Sequence, residues 1–274
     1  MRRVFPFESD YTKTLKLFEE QTMSIFTSEY RARLRSSLLE LAKGDGRISC
    51  TAITGSAAAA REDEWSDVDL AFGVEANADL PSVLADWTAH MYDHHHALHH
   101  LDVTAGAWTY RVFILATTLQ VDLAFVVETE FRALGPTFQL VFGKANEPRY
   151  ASPPQAVALV GMAWLYALHA RSCIARRKLW QAEHMISGVR DNAIALACLR
   201  HGLPTEQGRG MDLLPTGVAS QFEGSLVGRL NITELSRAFK AVIQGLLRET
   251  RDTDTELAGR LEATLIRLTE TPPN

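Results

Sequence analysis

Two aspartates, Asp67 and Asp69, stand one residue apart just before the apolar stretch "AFGV". On a strand, side chains alternate between faces, so both carboxylates would point to one side while Val68 and Leu70 point to the other. Two carboxylates held that close repel each other unless a proton or a cation lies between them. Because hard oxygen ligands suit Mg²⁺, the pattern indicates a metal-binding pair. The alternative is a solvated strand end with two surface aspartates.

A phosphate site and a third carboxylate are expected close to this pair. The segment "ISCTAIT" runs into Gly55 and Ser56, and a turn with a short helix leads from there to Ser66. Glycine lets the backbone approach a phosphate closely, and Ser56 adds a hydroxyl donor. Asp122 alternates with apolar residues in "LQVDLAFV", as on a strand with one apolar face. If that strand lies beside the first pair, three carboxylates converge, as two-metal phosphoryl chemistry requires.

The elements that position these residues follow from hydrophobic periodicity. A helix over residues 28–43 begins at a capping Ser28 and ends at "GDGR". Strands are predicted at "ISCTAIT" and "DVDLAFGV", a helix at "LPSVLADWTAHM", and one or two strands in "TYRVFILATTLQVDLAFVVE". Residues 28 to about 130 therefore combine helices with a sheet.

Beyond a proline-rich loop near residue 150 the pattern becomes helical. Apolar residues at helical spacing form two stripes, the first Val157, Val160, Trp164 and Leu168, the second Leu179, Ala182, Ile186, Val189, Ala193 and Leu196. Asn231 with Glu234, and Thr253 with Glu256, are typical of capping boxes that begin two further helices. These patterns predict a domain of mixed structure at 1–150 and an all-helical domain at 151–274.

Composition limits the class of protein. The chain has 274 residues, 46% of them hydrophobic and 22% charged, which is typical of a globular protein. A formal net charge of -5 argues against a protein that coats nucleic acid, although a local basic groove stays open. Three scattered cysteines indicate a reducing compartment and no zinc site. With no targeting segment and no uninterrupted apolar run of membrane-spanning length, we expect a cytoplasmic protein without a membrane partner. The oligomeric state stays open.

In these motifs the sequence resembles the nucleotidyltransferase superfamily with the DNA polymerase β-like fold. That family's signature is Gly-Ser, a spacer, Ser-Asp-x-Asp-Leu and a third acidic residue on a later strand. Here the matching residues are Gly55, Ser56, Ser66, Asp67, Val68, Asp69, Leu70 and Asp122. The resemblance implies an α+β fold, in which a mixed sheet with flanking helices precedes an all-α helical bundle. Many members carry a second glycine after Gly-Ser, and Ala60 stands at the corresponding position here.

The resemblance also implies roles for the matched residues. The three aspartates would be catalytic and would bind the metal, while Gly55, Ser56 and Ser66 would bind the nucleotide. The implied reaction moves a nucleoside monophosphate, AMP from Mg²⁺-ATP, onto a hydroxyl of a small molecule and releases pyrophosphate. Two alternatives stay open: a protein- or tRNA-modifying nucleotidyltransferase of toxin or antitoxin type, and a nucleotide-binding module without turnover.

The helical half is similar to that of antibiotic nucleotidyltransferases of the aminoglycoside and lincosamide type. Glu183 and Arg190 are seven residues apart, so they share one helix face beside an apolar stripe. This likeness implies that both residues bind the substrate, and that the acceptor is an antibiotic. The alternative is a surface ion pair or a solvated helix edge.

A histidine-rich stretch, "HMYDHHHALHH", offers a second metal-site hypothesis. His90 and His94 have the i, i+4 spacing of two metal ligands on one helix face. The spacing supplies no third ligand, so a solvated helix end is the preferred interpretation.

Overall fold

The computed structural model describes residues 26–270, so the N-terminal stretch that argued against a targeting segment lies outside it. The chain divides between Ala151 and Ser152 into two compact units. The first combines a six-stranded mixed sheet with helices, and the described part of the second is helical. The predicted α+β fold class is therefore confirmed.

In its described part, the first unit starts with helix α1 (Ser28–Gly44), strand β1 (Ile48–Thr54) and a short helix α2 (Gly55–Ala58). It continues with strand β2 (Val68–Val74), helix α3 (Leu80–His95), and strands β3 (Ala97–Ala105), β4 (Trp108–Leu115), β5 (Gln120–Val127) and β6 (Phe138–Phe142). The strand order is β3-β4-β5-β2-β1-β6, in which β2 and β5 pair in parallel and the other neighbours are antiparallel.

The two faces of the sheet are covered differently. One face buries large side chains in the same core as the buried residues of α1 and α3, among them Leu38, Phe72, Trp87, Phe113 and Phe125. The other face has a smaller core of Cys50, Ala52, Ala71, Trp108, Ala124, Val126 and Phe131. Burial of the first face fixes the register of β2, β4 and β5, because a slip of one residue would turn their buried side chains to the other side.

The second unit contains five helices among its described residues: α4 (Ala156–Ala175), α5 (Leu179–Arg200), α6 (Thr216–Ala219), α7 (Ile232–Thr253) and α8 (Thr255–Thr269). By length and composition alone α4 would suit a membrane span, as the core helices of many soluble proteins would. It contributes Ala163, Ala167 and Ala170 to the buried core of this unit.

Two helix caps differ from the prediction by one residue. Thr27, instead of Ser28, caps α1, since its hydroxyl accepts a hydrogen bond of 3.1 Å from the Tyr30 amide. Asp254, instead of Thr253, caps α8 through the Leu257 amide. In each case the capping residue has the extended backbone that an N-cap requires.

Ala60 follows α2 in the left-handed backbone region, with φ of 52°. It is the position where the resembled family often has glycine. A left-handed conformation costs an L-residue about 1–2 kcal/mol, because Cβ approaches the following carbonyl oxygen. The turn between α2 and β2 therefore contains local strain.

We expect Ala60→Gly to raise the free energy of unfolding by about 0.5–1 kcal/mol, the relieved strain minus the extra entropy of glycine in the unfolded chain. Urea unfolding at neutral pH measures the change. Ala59→Gly is the matched control, because Ala59 has φ of −97° and gains nothing from glycine. Equal effects of the two substitutions would contradict the strain at Ala60.

Candidate active site

Three aspartates meet on the sheet face that carries the smaller core. In the parallel pairing of β2 and β5, Asp69 lies directly opposite Asp122. Asp67 precedes β2 by one residue. One carboxylate oxygen of each aspartate lies within 4.8 Å of those of the other two, and all three residues are partly buried. We call this group the aspartate triad.

A glycine turn closes over the triad from the β1 side. Gly55 has φ of +63°, which favours glycine, and a Cβ placed there would overlap the Asp69 carboxylate, 2.7 Å from its Cγ. The turn backbone can therefore lie against Asp69 only because residue 55 has no side chain. Ser56 follows, and its hydroxyl oxygen is buried with no hydrogen-bond partner among the described residues. Such a hydroxyl is costly when unpaired, and a bound anion would satisfy it.

The loop that leads into Asp67 is anchored by Arg31 on α1. Its side chain is only 4% exposed. Nε donates to Glu62 Oε1 at 3.0 Å, and Nη1 donates to the carbonyl oxygens of Asp63 at 2.7 Å and Ser66 at 3.0 Å. Sequence reasoning missed this anchor. The available signal was a charged residue three positions before Leu34, on the buried stripe of α1.

Ser66 closes the turn immediately before Asp67. Its hydroxyl donates to Asp63 Oδ1 at 2.9 Å and accepts from the Asp63 amide at the same distance. In this structure the hydroxyl thus supports the loop, and its contact with a nucleotide stays a prediction.

Burial and like charge change the acidity of Asp122. Desolvation, together with the nearby Asp67 carboxylate, raises the pKa of Asp122 to about 6. A hydrogen bond of 3.0 Å from Gln120 Nε2 to Asp122 Oδ1 partly offsets that rise. Three carboxylates with one raised pKa are a donor set that fits a hard divalent cation such as Mg²⁺, because the cation favours the ionised form.

We expect Asp122→Asn to be more stable than the wild type at pH 7 in the absence of divalent metal, by about 1–2 kcal/mol. Because the pKa of Asp122 is higher in the folded state, metal-free wild-type stability falls as pH rises from about 4 to about 6. The advantage of the variant should therefore shrink toward pH 4.

Urea unfolding at several pH values, with and without Mg²⁺, measures this difference. Asp212→Asn, at an exposed aspartate of the second unit, controls for the change in net charge. Mg²⁺ should stabilise the wild type and leave Asp122→Asn nearly unchanged. A difference between wild type and Asp122→Asn that does not vary with pH would contradict the raised pKa.

Glu183 and Arg190 lie on α5 in the second unit and are partly buried. The Glu183 carboxylate accepts a hydrogen bond of 2.7 Å from the Ser187 hydroxyl, and Arg190 is 3.5 Å from the Asp191 carboxylate. Trp180, one turn before Glu183, is 77% exposed. The roles of Glu183 and Arg190 in binding a substrate stay predictions.

The histidine-rich stretch spans the end of α3 and the start of β3. The closest ring nitrogens are those of His90 and His95, with Nε2 atoms 3.2 Å apart. Burial, followed by the neighbouring His90, lowers the pKa of His95 to about 4. Within residues 26–270, the aspartate triad forms a three-ligand cluster and the histidines do not. The exposed His94 fits the preferred interpretation of a solvated helix end.

Comparisons with known proteins add little beyond this geometry. No protein-family model matches the chain, and no curated protein matches it either. Among solved structures, the chain is similar to an aminoglycoside 6-adenyltransferase from Bacillus subtilis. The identity is 11%, the match covers 85% of this chain and 96% of that chain, and the TM-score is 0.40. At these values the likeness defines neither the family nor the activity of the chain.

Proposed function

We propose that this protein is a metal-dependent nucleotidyltransferase that moves AMP from ATP onto a hydroxyl of a small molecule and releases pyrophosphate. The observation that carries the proposal is the aspartate triad with the Gly55 turn packed against it. The triad alone indicates a site for a hard divalent cation and no particular reaction. A close-packed glycine turn followed by the unpaired hydroxyl of Ser56 adds a place for phosphate oxygens, and together they support phosphoryl chemistry.

Each residue of the site has a proposed role. Asp67, Asp69 and Asp122 would hold Mg²⁺, which when bound neutralises the triphosphate and the charge that develops on transfer. The Gly55 and Ser56 turn would bind phosphate oxygens, and Ser66 would contact the nucleotide.

In the alternative role, Asp122 would accept the proton of the attacking hydroxyl as the general base instead of completing the metal site. The acceptor oxygen bonds to the α-phosphorus, the bond to pyrophosphate breaks, and the proton passes to Asp122. Asp122 thus takes up the proton that the acceptor hydroxyl loses as its oxygen bonds to the α-phosphorus.

The acceptor is proposed to be an antibiotic, with Glu183 and Arg190 as residues that contact it, and the protein is proposed to be cytoplasmic. A net charge of -5 disfavours a nucleic-acid acceptor. The convergence of all three carboxylates favours turnover over a binding module, because a module that only binds nucleotide has no need of a third carboxylate.

We expect Asp67→Asn and Asp69→Asn each to lower AMP transfer by a factor on the order of 100 or more, because the charge of the transferring phosphoryl group loses its main stabilisation. Pyrophosphate release from ATP and Mg²⁺, with a panel of antibiotic acceptors, measures the loss. Melting temperature without metal should stay level or rise, since a like charge is removed. Asp212→Asn should leave the rate unchanged, and near wild-type turnover in either triad variant would contradict the assignment.

The same preparation separates catalysis from binding alone. Mg²⁺ and ATP together should raise the melting temperature more than ATP alone, and Asp69→Asn should remove the difference. A metal-dependent shift without pyrophosphate release, with any acceptor in the panel, would favour a nucleotide-binding module.

We expect Glu183→Gln to lower turnover or acceptor affinity several-fold while the KM for ATP stays nearly unchanged, since a positioning contact is worth less than the metal site. Steady-state kinetics with an active acceptor measure both constants. Glu206→Gln, at an exposed glutamate of the same unit, is the control. Unaltered kinetics with every active acceptor would remove Glu183 from the site.

A further inference from the structure

The sheet face that carries the aspartate triad continues beyond Asp122. On the far side of β5 from Asp69, Asp122 pairs with Val112 of β4, and Val112 pairs with Leu101 of β3. Residues directly opposite each other on neighbouring strands point to the same face. Asp69, Asp122, Val112 and Leu101 therefore form one row across the sheet.

A second row runs beside the first. Gln120 pairs with Ile114, and Ile114 pairs with His99. A depression of about 240 Å³ lies over the part of these rows away from the triad, and its lining residues include Leu101 and Val112 of the first row, His99, Ile114 and Gln120 of the second, and His100 and Thr118. Gln120 joins this depression to the triad, because its amide donates to the Asp122 carboxylate at 3.0 Å.

The lining of the depression combines exposed apolar side chains with the polar residues His99, His100, Thr118 and Gln120. Leu101 is 61% exposed and Ile114 is 51% exposed. On the opposite face of the same two strands, Phe113 is buried in the core that α1 and α3 share. Exposed apolar side chains next to polar groups mark ligand-binding or interaction surfaces.

The strand order indicates which of the two substrates, ATP or the acceptor, would lie over the depression. The Gly55 and Ser56 turn follows β1, which lies on one side of β2, while β5, β4 and β3 lie on the other. If phosphate oxygens bind at the turn, pyrophosphate leaves on the β1 side of Asp69. The attacking oxygen must lie roughly in line with the leaving oxygen, on the opposite side of the phosphorus. That side is the depression beyond Asp122.

We propose that the depression over β3 and β4 binds the acceptor, and that this acceptor carries its reacting hydroxyl on a weakly charged, largely apolar body. The inference rests on the proposed function and assigns the acceptor side of that site. Among the described residues, no carboxylate lines the depression itself, so a molecule with several ammonium groups would lack partners there. Leu101, Val112 and Ile114 provide apolar contact, and Gln120 provides a polar group beside Asp122.

The test uses the full chain and two probes of contrasting charge. Lincomycin has one basic amine and an apolar ring substituent, whereas kanamycin has several ammonium groups. Methyl NMR of the wild type should show shifts at Leu101, Val112 and Ile114 with lincomycin and none with kanamycin. Shifts with kanamycin alone, or no shift at these methyl groups with either probe, would overturn the proposal.

Kinetics of variants provide the second arm. Leu101→Ser and Ile114→Ser should each raise the KM for an active acceptor about 5-fold or more and leave the KM for ATP unchanged. Leu98→Ser is the matched control, since Leu98 lies on the same strand, is 60% exposed and does not line the depression. An unchanged acceptor KM in both variants would overturn the inference and leave the proposed function standing. If the wild type releases no pyrophosphate from ATP with any acceptor tested, that result would instead count against the proposed function.

A second copy of the chain is the competing occupant, because β3 is an edge strand with exposed apolar residues. Dilution of the ligand-free protein distinguishes the two. Methyl signals of Leu101 and Ile114 that stay constant on dilution support the acceptor site. Signals that change with concentration, together with a dimer in sedimentation, would overturn it.

Discussion

The parallel pairing of β2 and β5, which holds Asp69 and Asp122 side by side, is the constraint on which the site depends. These carboxylates cannot move apart by a shift of register, because Leu70 and Leu123 are buried on the opposite face. The fold thus keeps Asp122 partly buried, and this desolvation, together with the nearby Asp67 carboxylate, raises the pKa of Asp122. A bound divalent cation would offset the desolvation of Asp122 and the like charge of the triad, because it stabilises the ionised carboxylates.

The same division of the sheet into two faces explains the surroundings of the triad. One face is filled by large side chains beside α1 and α3, while small residues such as Ala71 and Ala124 lie next to the aspartates on the other. At residue 55 even a methyl group is excluded, so the glycine turn can approach Asp69. Arg31 holds the loop before Asp67 in place by hydrogen bonds to the carbonyl oxygens of Asp63 and Ser66 and by an ion pair with Glu62.

Sequence reasoning succeeded where a pattern had one physical cause. Alternation of Asp122 with buried residues predicted a strand, and its pairing with β2 brought the aspartates together. Sequence reasoning failed on α4, where both large apolar residues and alanines recur at helical spacing and only some of them can face the core. The apolar stripe predicted on α4 included Val157 and Trp164, yet both are exposed, and alanines such as Ala163 and Ala167 lie in the core of the second unit. The place of Arg31 on the buried stripe of α1 was a signal, but its partners were missed because Glu62 and two backbone carbonyls lie in a loop distant in sequence.

Binding of Mn²⁺ to the full chain, followed by paramagnetic broadening of backbone amide signals, tests the central claim most directly. Mn²⁺ prefers the same oxygen ligands as Mg²⁺. The account predicts selective broadening around Asp67, Asp69 and Asp122, enhanced by ATP, reversed by excess Mg²⁺ and lost in Asp69→Asn. Broadening centred on the histidines at 90–100, or equal broadening in Asp69→Asn, would contradict a metal site at the aspartate triad.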